Sequence, residues 1–285
     1  MTDFSAIYGF EFTRVFSVNG LSFQPIESQY SVAKALARNL KAHNLTGVVS
    51  APTLTREMLF QLEGVLSFVE HLDVYISEPT DDADAIINPN QYFEPTQFMR
   101  SRHNGGGAVL GSDSFKPYHE SRQQFIELTL RYLSDIELCK KTRFDSLLFK
   151  CVETFRQRQP FLEISYFLLI SALEAFSRAH QNDYKSKNAA VPITKTLLHY
   201  GFDVQQDNPN HLSRSISTYL HIRNSLFHNG DFIANIQMNG NHVNLNCSEY
   251  LFNLSMLVSL MVMKVVGFDD GHTNWDCWID RQLHK

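Results

Sequence analysis

The first 80 residues alternate between two hydrophobic patterns, which together predict a mixed α and β region. A two-residue period is typical of half-buried strands, and a period of three to four is typical of amphipathic helices. Asn19-Gly20 separates Val18 from Leu21 and predicts a hairpin, because both turn residues tolerate a positive φ. The predicted strands lie at 8–12, 46–50 and 72–77, and the predicted helices at 28–43 and 54–71.

From residue 117 the apolar positions recur mainly with a helical period, so the second half is predicted to be mostly helical. Asn239-Gly240 lies within an alternating segment, 232–246, which predicts an inserted β-hairpin. The predicted helices cover 119–138, 143–158, 160–180, 189–201, 210–229 and 248–266.

The segment 78–115 is rich in Pro, Asp, Asn and Gly, which favours loop structure. We therefore predict two domains, 1–115 and 116–285. Gly105-Gly106-Gly107 is interpreted as a flexible linker. The alternative, a phosphate-binding loop, would need the lysine of a P-loop or the spacing GxGxxG, and both are missing.

A small basic cluster precedes these glycines. Arg100, Arg102 and His103 are interpreted as part of a solvated loop, with an RNA contact as the alternative.

Composition and charge narrow the class of protein. The 285 residues are 44% hydrophobic and 19% charged, as in a globular protein. The net charge of -5 argues against broad nucleic-acid binding, so any RNA must be bound at a local basic site or brought by a partner. Four cysteines without zinc-ligand spacing or a disulfide framework indicate a reducing compartment.

The sequence predicts a cytoplasmic protein without a membrane partner. Its first ten residues lack the basic and apolar regions of a signal peptide. The longest apolar stretch, 251–268, is interrupted by polar residues and is interpreted as a buried helix, because a membrane span needs about 18 or more apolar residues.

An arginine lies in the middle of the apolar stripe predicted for the helix 210–229. At 100° per residue, Arg223 falls at roughly 20° from Leu212, between the apolar side chains. A guanidinium there is costly unless an acid, a polar cavity or a partner chain compensates for it. The stripe consists of Leu212, Ile216, Tyr219, Leu220, Leu226 and Phe227.

This helix is predicted to end at Asn229-Gly230, which places His228 in its last turn. There the helix dipole stabilises a positive ring, and a histidine that changes charge near neutrality is suited to general acid–base chemistry. Arg223 and His228 are about 140° apart on an ideal helix, whereas Asn224 and His228 share a face. A joint site therefore needs a distorted helix end, long side chains or a second copy of the chain.

Two segments resemble the HEPN superfamily. Tyr219–Gly230, with Arg223-Asn224-x-x-x-His228, resembles its R-x(4–6)-H helix end, and Phe167–Phe176 resembles the "ALE" helix of Apea-like HEPN proteins. Asn229 is a departure, because many members have His-Gly directly. The resemblance covers roughly 117–268 and implies an all-α HEPN helical bundle there. Together with the patterns above, the predicted fold class is an α+β N-terminal domain followed by an all-α HEPN helical bundle with a small inserted β-hairpin.

The resemblance implies a metal-independent endoribonuclease that needs no cofactor. The RNA 2′-OH would attack the adjacent phosphate, giving a 2′,3′-cyclic phosphate and a 5′-OH. His228 would transfer protons, and Arg223 would hold the phosphate. Asn224 would hydrogen-bond or orient His228 or the phosphate. In this family the sites of two protomers usually meet, which implies a homodimer.

Three further residues are expected near the site. Glu174 is the natural acid to face Arg223, as a structural pair or as part of the chemistry. Arg178 lies one turn beyond it, and His221 lies on nearly the same helix face as His228. For Arg178 and His221 the alternative is an ordinary surface position.

The tail, 271–278, contains His, Asp and Cys, but no fixed ligand spacing supports a metal site, so none is predicted. Its two tryptophans indicate instead that the tail docks on the protein or on a partner.

Two functions follow from these patterns. The first is an RNA-cleaving toxin or antiviral defence effector. The second is a non-catalytic HEPN module that binds RNA, a nucleotide or a protein partner. In either case, the N-terminal domain is expected to respond to a trigger or a regulatory partner.

Overall fold

The computed structural model describes residues 2–94, 109–157, 159, 161–238 and 240–284. The chain divides into two compact units. The first comprises Met1–Ser134, Phe155–Arg158 and Asp270–His272, and the second comprises Asp135–Thr154, Gln159–Asp269 and Thr273–Lys285. Residues 116–134 are therefore assigned to the first unit, beyond the predicted boundary at residue 115.

Two interpretations concern residues that the structure does not describe. The glycines Gly105-Gly106-Gly107 and the basic residues Arg100, Arg102 and His103 all lie outside the described residues. Their roles stay predictions.

The first unit is built on a five-stranded antiparallel sheet, as the alternating pattern of its sequence indicates. Its strand order is β2-β3-β4-β1-β5. Strand β1 pairs with β4 on one side and with the edge strand β5 on the other. The strands are β1 (Asp3–Tyr8), β2 (Phe16–Val18), β3 (Leu21–Pro25), β4 (Leu45–Ala51) and β5 (Tyr75–Ile76).

The hairpin predicted at Asn19-Gly20 is confirmed, since these residues connect β2 to β3 with φ values of 50° and 80°. The strand predicted at 8–12 is wrong, because β1 ends at Tyr8. Gly9 then takes a φ of 83°, and the next residues are buried without alternation, including the charged Glu11.

Five helices complete the described part of the first unit. Residue Thr55 caps the longest of them, because its hydroxyl accepts from the Met58 N–H at 3.2 Å. The helix predicted at 28–43 is shorter in the structure. The helices are α1 (Tyr30–Ala37), α2 (Arg56–Glu70), α3 (Asp84–Ile87), α4 (Pro89–Tyr92) and α5 (Ser121–Ser134).

A buried ion pair lies inside the first unit. The side chains of Arg122 and Glu70 are 3% and 0% exposed, and Nη1 of Arg122 lies 2.8 Å from Oε1 of Glu70. The same oxygen accepts from the Glu11 N–H at 2.9 Å, and Nε of Arg122 donates to the Gly111 carbonyl at 3.0 Å. Arg122 thus fixes three segments that are distant in sequence.

The second unit is mostly helical. The predicted β-hairpin is present between Asn229 and Cys247, as β6 (Ile233–Met238) and β7 (Asn241–Asn246). The predicted helix 119–138 is in fact two helices. Its pattern breaks at Asp135, whose carboxylate accepts from the Leu138 N–H and starts a new helix. The helices are α6 (Ile136–Thr142), α7 (Phe144–Arg156), α8 (Leu162–Gln181), α9 (Ala190–His199), α10 (Ile216–Asn229), α11 (Cys247–Val265) and α12 (Cys277–Asp280).

Helix α11 is the core helix of this unit. Among the described residues it is the one helix long and apolar enough to cross a membrane, but 67% of it is buried within the chain. The polar residues Ser255 and Ser259 are fully buried with the apolar ones. This burial agrees with the interpretation of 251–268 as a buried helix.

The tail docks on the second unit itself. Trp278 on α12 is fully buried, and the ammonium of Lys264 on α11 lies 4.0 Å from the ring centroid of Trp275. The sequence allows the tail to dock on the protein or on a partner. In the structure its tryptophans contact the protein itself.

Candidate functional site

The candidate site lies at the C-terminal end of α10. The helix ends at Asn229, and Gly230 takes the left-handed conformation with a φ of 72°. The Gly230 N–H donates to the Leu226 carbonyl and the Asp231 N–H to the Ser225 carbonyl, which satisfies the last turn. The predicted end of this helix is confirmed, and His228 lies in its last turn.

The predicted start of this helix is wrong. Residues 212–214 form a separate short 3₁₀ turn, and α10 begins at Ile216. The Ile216 N–H donates to the Gln205 carbonyl at 2.9 Å, which ties the start of the helix to a neighbouring segment.

The predicted apolar stripe on α10 holds only along the first half of the helix. Ile216, Tyr219 and Leu220 are buried, but Phe227 is 55% exposed. Ile222, outside the predicted stripe, is fully buried instead. Arg223 consequently lies at the edge of the buried face, where water reaches part of its side chain.

The carboxylate of Glu174 compensates the charge of Arg223, as predicted from the sequence. Oε2 of Glu174 on α8 lies 2.8 Å from Nη1 of Arg223, and its Oε1 lies 2.9 Å from Nε of Arg178. One carboxylate is thus shared by two guanidinium groups. The three side chains leave one positive charge, in a protein whose net charge is -5.

Asn224 orients the arginine. Its side-chain oxygen accepts a hydrogen bond from Nε of Arg223 at 3.1 Å. With Glu174 on one side and Asn224 on the other, two of the nitrogens of the guanidinium are held. The contact is thus with Arg223, whereas the resemblance names His228 or the phosphate as the target of Asn224.

Arg178 binds the loop that follows α8. Its Nη1 donates to the carbonyls of Asp183 and Ser186, each at 3.1 Å. The pair with Glu174 therefore links α8, α10 and the loop that follows α8.

Two clefts lie along α10. We call them the hairpin cleft and the loop cleft. The hairpin cleft has a volume of about 360 Å³ and is lined by His221, Asn224, Ser225, His228, Asp231 and Asn235. The loop cleft has a volume of about 400 Å³ and is lined by Lys187, Asp207, Ser217, His221, Arg223 and Asn224.

His221 and Asn224 line both clefts, whereas His228 lines the hairpin cleft and Arg223 the loop cleft. The separation predicted from their 140° spacing is therefore present in the folded chain. His221 is exposed where the clefts meet, and both its place along an RNA path and an ordinary surface position stay predictions.

Strand β6 forms the second wall of the hairpin cleft. The hydroxyl of Ser225 donates to the Ile233 carbonyl at 3.2 Å, which ties the hairpin to the end of α10. The sequence predicts the hairpin but not this placement. No local signal marks it, because the contact depends on how the chain turns after Gly230.

The sequence matches no protein-family model, and no curated protein or solved structure is similar enough to count as a match. Within the described residues, including those of the tail, no three His, Cys, Asp or Glu side chains are grouped to hold a metal ion.

Glu174→Gln is expected to lower the free energy of unfolding by about 1–3 kcal/mol, because two guanidinium groups lose a charged partner. Urea unfolding followed by circular dichroism measures this change. Glu249→Gln is the matched control: it removes an exposed carboxylate from the first turn of α11 and should cost about 0.5 kcal/mol. Equal losses in both variants would contradict a stabilising role for the shared carboxylate.

Proposed function

We propose that this protein is a metal-independent endoribonuclease of the HEPN type, located in the cytoplasm and acting on RNA. One observation carries the proposal. Glu174 and Asn224 hold the guanidinium of Arg223, and the exposed His228 follows within two turns of the same helix. An oriented guanidinium binds a phosphate, and a histidine at a helix end transfers protons near neutral pH. The all-α HEPN bundle is part of this proposal.

The chemistry requires these two groups. The 2′-oxygen of the RNA forms a bond to the adjacent phosphorus as its proton leaves to a base, and the bond from phosphorus to the 5′-oxygen breaks as that oxygen gains a proton. The products are a 2′,3′-cyclic phosphate and a 5′-OH. His228 accepts or returns a proton, and Arg223 stabilises the charge that builds up on the phosphate oxygens.

A homodimer would bring the two groups together, since Arg223 and His228 line different clefts in one chain. An apolar groove next to them supports this arrangement. It has a volume of about 260 Å³ and is lined mainly by Ile164, Phe167, Leu226 and Phe227. The rings of Phe167 and Phe227 lie 4.4 Å apart and both are exposed, so a second copy of this surface would bury both.

Phe227→Glu is expected to convert the dimer to a monomer and to reduce RNA cleavage with it, because a charge would be buried in the contact between the two copies. Light scattering coupled to size-exclusion chromatography measures the mass. Ile136→Glu is the matched control, because Ile136 is 57% exposed and Phe227 is 55% exposed. A variant that stays dimeric would show that this groove is not the interface.

The cleavage assay that tests the proposed function uses purified protein and single-stranded RNA in the presence of EDTA. The expected product carries a 2′,3′-cyclic phosphate. Intact RNA after prolonged incubation with the wild-type protein would contradict the proposal.

One observation favours a second function, a non-catalytic module that binds RNA, a nucleotide or a protein partner. The carboxylate 2.8 Å from Arg223 is also what a purely structural ion pair would show. Binding of RNA without any cleavage would support this function. A role as a toxin or antiviral effector, with the first unit responding to a trigger or a regulatory partner, belongs to the main proposal.

A further inference from the structure

The loop cleft contains a lysine that the HEPN resemblance does not include. Lys187 has an exposed side chain and lines this cleft together with Arg223. Among the described residues no ion pair or hydrogen bond involves its ammonium group. Arg223, by contrast, already has Glu174 as a partner.

The loop that carries Lys187 is held in place. The Asp183 carboxylate accepts from the Ser186 N–H at 3.0 Å and from the Ser186 hydroxyl at 2.6 Å, and these bonds hold the pKa of Asp183 below its usual value. Arg178 donates to both ends of this turn, through the carbonyls of Asp183 and Ser186. Lys187 is the next residue, so its backbone is fixed at the edge of the cleft.

The charges around the loop cleft favour an anion. Of the side chains that line the loop cleft, Lys187 and Arg223 are positive and Asp207 is negative, which leaves one positive charge. Asp207 faces the cleft, and its carboxylate accepts from the Gln206 side chain at 3.2 Å. Helix α9 begins at Ala190, beside this wall, and the partial positive charge of its N-terminus adds to the same field.

We propose that Lys187 binds a phosphate of single-stranded RNA that neighbours the phosphate held by Arg223. The inference rests on the proposed function for the identity of the strand. Helix α10 then acts as the floor of a path from the loop cleft, past His221 and Asn224, to His228 in the hairpin cleft. From Ser217 to His228 this path is about 16 Å long, enough for more than one nucleotide.

Lys187 is a binding residue in this arrangement and touches no reacting atom. Removing its charge should weaken the binding of RNA, so that KM for unmodified RNA changes more than kcat. A single lost phosphate contact reduces the slope of log affinity against log salt by about 0.7 for a single strand, which is about a fivefold loss of affinity at 0.1 M salt.

The test uses the full chain and a fluorescent 12-nucleotide RNA in which every 2′-hydroxyl is methylated, so that it binds but is not cut. Fluorescence anisotropy gives the Kd at several salt concentrations. Lys187→Gln should show the fivefold loss and the smaller slope. Lys185→Gln, which makes the same charge change two residues away at an exposed lysine outside the cleft, should match the wild type.

Equal affinities and slopes in Lys187→Gln and Lys185→Gln would overturn the inference, as would a wild type without salt-dependent binding. Cleavage of unmodified RNA in the same variants separates the two proposals. A wild type that binds through Lys187 but never cuts supports the phosphate site and contradicts the ribonuclease. If the wild type cuts RNA and both lysine variants bind with equal affinity, the ribonuclease is supported and the phosphate site is contradicted.

Discussion

His228→Ala is expected to slow RNA cleavage by about 10²–10⁴-fold, the usual contribution of a general acid or base. The stability of the protein should stay close to that of the wild type, because the His228 side chain is exposed. Initial rates with labelled single-stranded RNA in EDTA measure the first effect, and urea unfolding measures the second.

His211→Ala is the matched control for this experiment, because His211 is also exposed but lies before α10, outside both clefts. It should cleave RNA at the wild-type rate. Equal rates for wild type and His228→Ala would remove His228 from the mechanism, whatever the control shows. A slow His228→Ala that still binds the methylated RNA would assign the loss to chemistry rather than to binding.

Arg122→Met is expected to lower the free energy of unfolding by about 3–5 kcal/mol, because it leaves the carboxylate of Glu70 buried without its partner. Urea unfolding followed by circular dichroism measures the change. Arg131→Met is the control on the same helix. Its pair with Glu127 is 63% and 38% exposed, and such a surface pair contributes at most about 1 kcal/mol.

The double variant Arg122→Met/Glu70→Gln tests the reason for this loss. It removes both charges and keeps an acceptor for the Glu11 N–H, so it should be more stable than Arg122→Met alone. A double variant less stable than the single one would show that packing around Arg122, rather than the unpaired carboxylate, causes the loss.

The sequence predicts those parts of the fold that depend on local chemistry. Asn19-Gly20 makes a hairpin because two adjacent residues accept a positive φ, and Gly230 ends α10 for the same reason. The buried pair of Arg122 and Glu70 could not be predicted in this way. Its partners are 52 residues apart, and no periodic pattern marks a buried charge.

The candidate site likewise contains one contact that the sequence predicts and one position that it does not. Arg223 and Glu174 are 49 residues apart, but each lies in a helix that resembles the HEPN pattern, so their contact could be expected. Lys187 could not, because its position depends on the hydrogen bonds of Arg178 to the loop before it. The prediction for the start of α10 is wrong for a similar reason, because that start depends on a hydrogen bond from the Ile216 N–H to the Gln205 carbonyl.

Helix α8 connects two of these features through one rigid element. Phe167 in the apolar groove and Glu174 beside Arg223 are two turns apart on it, about 10 Å along its axis. A change that shifts or rotates this helix to improve one contact also displaces the other. Under the proposed dimer, assembly and the position of the arginine would therefore change together, and substitutions around Phe167 and Glu174 are expected to be acquired in compensating pairs.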